Sequence, residues 1–164
     1  MPDPASQPRL THLDETGAAR MVDVTAKSPT VRTASATAFV ACSPRIVAAL
    51  CDGSVPKGDV LAVARVAGIA AAKRTPELLP LAHVIGVHGC AVDLVVEEEG
   101  VRISATVRTA DRTGVEMEAL TAATVAGLAI VDMVKGVDRG VSLREAQVTA
   151  KSGGRSGDWV RPAD

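Results

Sequence analysis

A chain of 164 residues has the length of one domain, enough to bury a core without disulfide or metal staples. With 47% hydrophobic and 23% charged residues it has the balance of a soluble globule, and 18 Lys and Arg against 19 Asp and Glu leave a net charge of −1. Near-neutrality excludes a bulk electrostatic nucleic-acid binder; one Phe (Phe39), one Trp (Trp159) and no Tyr leave no platform for stacking bases.

MPDPASQPR holds three prolines and no apolar run, so residues 1–9 read as a disordered leader and not a signal peptide. A single domain is expected over residues 10–159, with a C-terminal tail at 160–164. Leu10 to Val24 is mixed and polar, with a turn at Gly17. Thr30 to Ala41, TVRTASATAFVA, alternates with period two and predicts a strand. Ser43 as N-cap and Pro44 at the first helical position predict a short helix that ends near Asp52-Gly53. Asp59 caps a second helix, VLAVARVAGIAAAKR, whose terminal Lys73 and Arg74 suit the negative end of the helix dipole. Thr75-Pro76 opens one further turn to Leu79. CAVDLVVEEEG and VRISATVRTA are period-two runs joined at Gly100, an antiparallel hairpin. A long helix over Val115–Val137 and a strand over Ser142–Lys151 follow, and then a Gly-rich tail read as mobile.

The order β-α-β-β-α-β predicts an α+β fold of the ferredoxin-like, split β-α-β kind: a four-stranded antiparallel sheet with helices on one face. The other face is left open, and Ala34, Ala36 and Ala38 suggest a small apolar surface there for a neighbouring subunit. Cys42, Cys51 and Cys90 show no CxxC spacing and only three histidines are present, so no metal site is expected and a reducing cytoplasm fits the free thiols. No run free of charges is long enough to predict a membrane span.

Five groupings could carry chemistry. In TGVEME, Thr113 and Glu116 fit a capping box, which leaves Met117 and Glu118 unexplained. Asp132 and Lys135 are surface neighbours at i, i+3, which reads as a solvated ion pair; their nearly all-apolar helix argues instead for a paired or cavity-facing site. Lys57-Gly58-Asp59 lies one helix length from Lys73-Arg74. AKSGGRSG offers cations and backbone N–H groups to a phosphate, or is a flexible basic tail. In PLAH, His83 precedes a strand and is structural or functional. Glu118 and Asp132, fourteen residues apart on one helix, are separated by about 21 Å along its axis and point within roughly 40° of each other. Both can serve one reacting centre only if subunits share the site, which predicts an oligomer.

LTHLDETGAARMVDV, KGDVLAVARVAGIAAAKRT, TGVEMEALTAATVAGLAIVDMVK and AKSGGRSG, in this order from Leu10 to Trp159, resemble the MoaC family of cyclic pyranopterin monophosphate synthases, of molybdenum cofactor biosynthesis. The resemblance implies a ferredoxin-like fold and a cytoplasmic lyase. Its substrate is 3′,8-cyclo-7,8-dihydroguanosine 5′-triphosphate, made by an upstream radical enzyme, and it releases pyrophosphate. It also implies a homohexamer, a trimer of dimers, with sites at subunit interfaces and no nucleic-acid or membrane partner. Asp132, Lys57 and Lys135 match the family's catalytic residues. Leu81, Ala82, His83, Met117 and Glu118 match the loops that hold substrate, and Glu116, Lys73, Arg32 and Lys151 match further positions around it. No redox cofactor is implied, and no carboxylate cluster dictates a metal; a magnesium ion on the substrate phosphates is compatible with the sequence. The chain departs from the family's PLCHP with PLAHV, which removes the proline that keeps His83 extended. Val131 replaces a tyrosine, and Gly136 replaces an alanine at a cost of about 1 kcal/mol if helical. Ala82 and Val84 favour a rival reading: a catalytically weakened paralogue that binds nucleotide or pterin as an assembly or regulatory partner. A third reading is a small nucleotide phosphohydrolase.

Overall fold

The computed structural model describes residues 12–155 and 157–163, so the expected leader at 1–9 lies outside the described residues. In chain order the elements are β1 (Thr30–Ala41), α1 (Pro44–Asp52), α2 (Val60–Ala72), α3 (Thr75–Leu78), β2 (Gly89–Glu97), β3 (Gly100–Asp111), α4 (Glu116–Val134), β4 (Ser142–Ser152) and β5 (Trp159–Val160). They form an open antiparallel sheet in the order β2-β3-β1-β4-β5, with α4 packed on β1, β3 and β4 and α2 packed on α4 and β2.

Four strands are expected from the sequence and five are present among the described residues. The fifth has only two residues, too few to show a period. Gly153 and Gly154, at φ 84° and 75°, turn the chain back so that Trp159 pairs with Lys151 and Val160 with Ala150. Arg161 Nε then donates to Val148 O at 2.8 Å, and its guanidinium lies 5.5 Å from the Trp159 ring. The expected mobile tail thus returns to the sheet edge.

Ala34, Ala36 and Ala38 are also placed differently from the expectation. They share the helix-covered face with Val40 and are at most 1% exposed. Small side chains there let α4 settle close to the sheet on its own fully buried Ala119, Ala122, Ala123 and Ala126. The uncovered face is polar: Ser35 Oγ and Thr106 Oγ1 share a 2.9 Å hydrogen bond, and the Arg102 guanidinium covers Phe39 at 4.9 Å. Gly68 brings α2 onto α4, since a Cβ there would lie 2.8 Å from the Ala122 carbonyl oxygen.

Helix starts follow side-chain chemistry unevenly. Asp59 Oδ1 accepts from Ala62 N at 2.9 Å, as expected of a cap. Ser43 holds the N-cap position of α1 with Pro44 behind it, but its hydroxyl makes no capping bond. The Thr113–Glu116 capping box does not form, because α4 has Val115 as N-cap and the Glu116 carboxylate pairs with Lys151. At its far end α4 stops at Val134 with Lys135 as C-cap, so Gly136 lies past the helix and the expected glycine cost does not arise. By length and composition α4 could cross a membrane, yet half of that stretch is buried inside the fold.

Candidate active site

Most of the charged residues picked out in the sequence gather at the two ends of α4. At its C-terminal end, Lys57 is carried by the turn that precedes α2, where Gly58 N bonds Val55 O at 3.0 Å and Gly58 takes φ 96°. Lys57 Nζ donates to the Asp132 carbonyl oxygen at 2.7 Å and lies 3.2 Å from its Oδ2, while Lys135 Nζ lies 2.7 Å from Oδ1. The Lys135 ammonium, and then that of Lys57, hold the Asp132 carboxyl below its usual value. All three side chains are about half exposed, at 49%, 60% and 58% for Lys57, Asp132 and Lys135. Pairs this exposed add little to stability, so the convergence of two cations on one carboxylate is not explained by folding.

At the N-terminal end lies a cavity of about 900 Å³. Leu79 to His83 form one wall; Thr113, Gly114, Glu116, Met117 and Glu118 form a second. The third is the segment before β1, through His12, Ala19, Val22, Val24 and Lys27. Glu118 is only 3% exposed, and burial is the main cause that raises its pKa, with the charge of Glu116 adding to it. Its own backbone N–H and His83 act in the opposite direction. His83 Nε2–H donates to Val22 O at 2.6 Å, which fixes the tautomer because a carbonyl can only accept. This bond anchors His83 without a following proline; Val84 itself is 89% exposed.

Beside the cavity, Lys151 Nζ pairs with Glu116 Oε1 at 3.2 Å. Arg32 reaches the same end of the sheet, where Nε donates to Asp111 O at 3.1 Å and Nη2 to Arg112 O at 3.2 Å. Gly154 sits directly against the Arg32 guanidinium, where any Cβ would collide with it. Gly153 and Gly154 of AKSGGRSG thus serve close approach, and Gly153 N–H is already taken by Asp158 Oδ1 at 3.0 Å. A phosphate cradle from that N–H is not what this fold presents.

The structure therefore unites Lys57, Asp132 and Lys135 at one end, and Leu81, Ala82, His83, Glu116, Met117 and Glu118 at the other, with Lys151 and Arg32 beside the second group. Lys73 joins neither; it is the exposed C-cap of α2, and its charge reaches the half-buried thiol of Cys90. Sequence reasoning missed the third wall. Its signal was there in LTHLDETGAARMVDV, but an irregular segment has no period that would show which residues face inward.

Residues 21–154 match the model of the MoaC family. The chain is similar to the cyclic pyranopterin monophosphate synthase of Streptomyces avermitilis, 58% identical over 160 residues that span 98% of this chain and 94% of that protein. It is similar to the protein of the same name from Streptomyces coelicolor, 59% identical over 155 residues, 94% of this chain and 91% of that protein. A third, from Geobacter metallireducens, is 53% identical over 154 residues, 93% of this chain and 96% of that protein.

Proposed function

This chain belongs to the MoaC family, and on that premise we propose that it is a cyclic pyranopterin monophosphate synthase of molybdenum cofactor biosynthesis. In this reading it is a cytoplasmic lyase that rearranges 3′,8-cyclo-7,8-dihydroguanosine 5′-triphosphate into cyclic pyranopterin monophosphate. A sugar hydroxyl attacks the α-phosphorus; one P–O bond forms, another breaks, and pyrophosphate leaves. Ring opening and closing require several proton transfers, which fall to Lys57, Lys135 and Asp132. Arg32 and Lys151, beside the cavity, and Lys73, which the family resemblance alone assigns to this role, neutralise the triphosphate and its leaving group, while Leu81, Ala82, His83, Glu116, Met117 and Glu118 hold the substrate. The reaction involves no net redox change, so we assign no redox cofactor; magnesium, where present, travels on the substrate phosphates.

Two further parts of the reading rest on the fold. Without β5, the strand order is β4-β1-β3-β2 with helical connections after β1 and after β3, which supports the ferredoxin-like assignment. The two charged groups occupy opposite ends of α4, about 21 Å apart between Glu118 and Asp132, which supports a site shared by subunits within a hexamer, a trimer of dimers.

The observation that carries the reading is the convergence of Lys57 and Lys135 on the Asp132 carboxylate, in a chain of this family. The loop departures at Ala82 and Val84 leave His83 anchored on Val22, so the weakened-paralogue reading gains nothing from the geometry. Incubation of the purified protein with the authentic cyclised substrate is the test. Pyrophosphate and cyclic pyranopterin monophosphate in equal amounts are expected, with GTP itself left intact; substrate retained unchanged would overturn the assignment.

A further inference from the structure

The cavity's third wall is tied to the rest of the fold by few hydrogen bonds among the described residues. The segment His12 to Lys27 contains one isolated bridge, between Leu13 and Ala19, and no helix or longer strand. It is organised from within. Asp14 Oδ1 accepts from Thr16 N at 2.9 Å, Thr16 Oγ1 at 2.7 Å and Ala18 N at 3.0 Å, and Asp23 Oδ1 accepts from Thr25 N at 2.8 Å. Among the described residues, two side-chain hydrogen bonds fasten this segment to the body of the protein. One is His83 to Val22 O; the other is Arg112 Nε to Lys27 O at 2.9 Å.

Arg112 is well placed for such a tie. It follows β3, its own N–H is fixed by Asp111 Oδ1 at 2.7 Å, and its carbonyl oxygen accepts from Arg32 Nη2. Arg32, Arg112 and Lys27 are thus joined in series from the first residues of β1, through the loop before α4, to the far end of the wall. Arg112 is exposed and makes no ion pair among the described residues, so fold stability alone does not account for this arrangement.

We propose that Arg112 is a positioning residue: it holds the Lys27 end of the segment against the cavity, and so governs substrate affinity without touching the reacting atoms. The proposal rests on the reading above that this cavity receives the substrate. A segment with so few ties opens locally at small cost, and a charged donor on its terminal carbonyl is the contact that closing depends on.

The test uses the full-length protein with Arg112→Ala and Arg112→Lys. Without substrate, limited trypsin digestion followed by mass spectrometry reports cleavage after Arg20 and Lys27, both inside the segment. Arg112→Ala is expected to speed those two cleavages about tenfold, the effect of losing one charge-assisted bond, with other sites unchanged apart from the cut after residue 112, which the substitution removes. Arg112→Lys, which keeps a donor, is expected to fall between it and the wild type. In turnover of the cyclised substrate, Arg112→Ala should raise KM about tenfold with kcat close to wild type. Unaltered cleavage after Arg20 and Lys27 would overturn the proposal; so would an unaltered KM, or a fall in kcat at constant KM. A wild-type protein that fails to turn the substrate over overturns the functional reading instead, while the digestion still decides whether Arg112 holds the segment.

Discussion

The two carboxylates that mark the ends of α4 are displaced from their ordinary acidities in opposite directions. Asp132 is lowered by Lys135 and Lys57, and Glu118 is raised by burial. Two carboxyls set apart in this way suit different duties, since Glu118 holds its proton more tightly than Asp132 does. For Glu118 the displacement is also a statement about stability. The native state holds its proton more tightly than the unfolded chain, so the unfolded chain binds fewer protons through the transition and stability falls as pH rises. That contribution is intact below the ordinary value of 4.5 and is lost as pH climbs through the raised native value. Glu118→Gln has no proton to lose and keeps nearly the same shape. Its urea midpoint should therefore gain steadily on the wild type as pH rises from below 4.5, and level off once the native carboxyl is ionised. Parallel midpoints across that range would show that Glu118 is not desolvated.

At the scale of elements, close approach between small residues decides the packing, and two glycines separate backbone contact from side-chain contact. Alanine improves on glycine in a helix by about 1 kcal/mol. At Gly68, however, a Cβ would stand 2.8 Å from the Ala122 carbonyl oxygen and 3.2 Å from the Ala126 Cβ, so α2 must move off α4. At Gly127 the obstruction is the end of the Leu143 side chain, 2.5 Å away, which can rotate aside. Gly68→Ala is accordingly expected to lose about 1–3 kcal/mol by denaturant unfolding, and Gly127→Ala to stay within about 1 kcal/mol of wild type. Equal losses would mean that backbone contact is not what limits the approach. The element boundaries themselves were largely legible. Alternation fixed Thr30–Ala41, and Asp59 announced α2 by a bond it does make. Other features were not legible, because they depend on partners distant in sequence. Glu116 is drawn from its expected cap by Lys151, and Ala34, Ala36 and Ala38 could be assigned a face only once α4 was seen to need small residues beneath it. In the candidate site, Asp132 and Lys135 were marked by charge in apolar surroundings, and Lys57 by the resemblance of its KGDV motif to the family. Arg112 left no such mark, since a side chain bonded to a distant carbonyl leaves no pattern in sequence.

For the whole molecule, the separation along α4 turns a question of chemistry into one of assembly. A rigid helix holds the Asp132 group and the Glu118 group about 21 Å apart, farther than one bound nucleotide can bridge with both ends at its reacting centre. In the proposed assembly each site takes its acid–base group from one chain and its cavity from another. Asp132→Asn should then leave the assembled mass unchanged by light scattering, because it keeps the shape of the side chain, while product formation falls by roughly 10²–10⁴-fold. Glu118→Gln should be impaired in the other half of the site. When the two inactive variants are unfolded together, refolded and allowed to exchange subunits, some sites receive an intact Asp132 from one chain and an intact Glu118 from its neighbour. In a randomly mixed pair one of the two sites is whole and the other doubly defective, so activity should return to a sizeable fraction of wild type. If each chain carried a complete site of its own, mixing would restore nothing, since every site would keep its own defect. Verified exchange without recovered activity would therefore return the chemistry to a single chain and require α4 to bend or the two groups to act at separate centres.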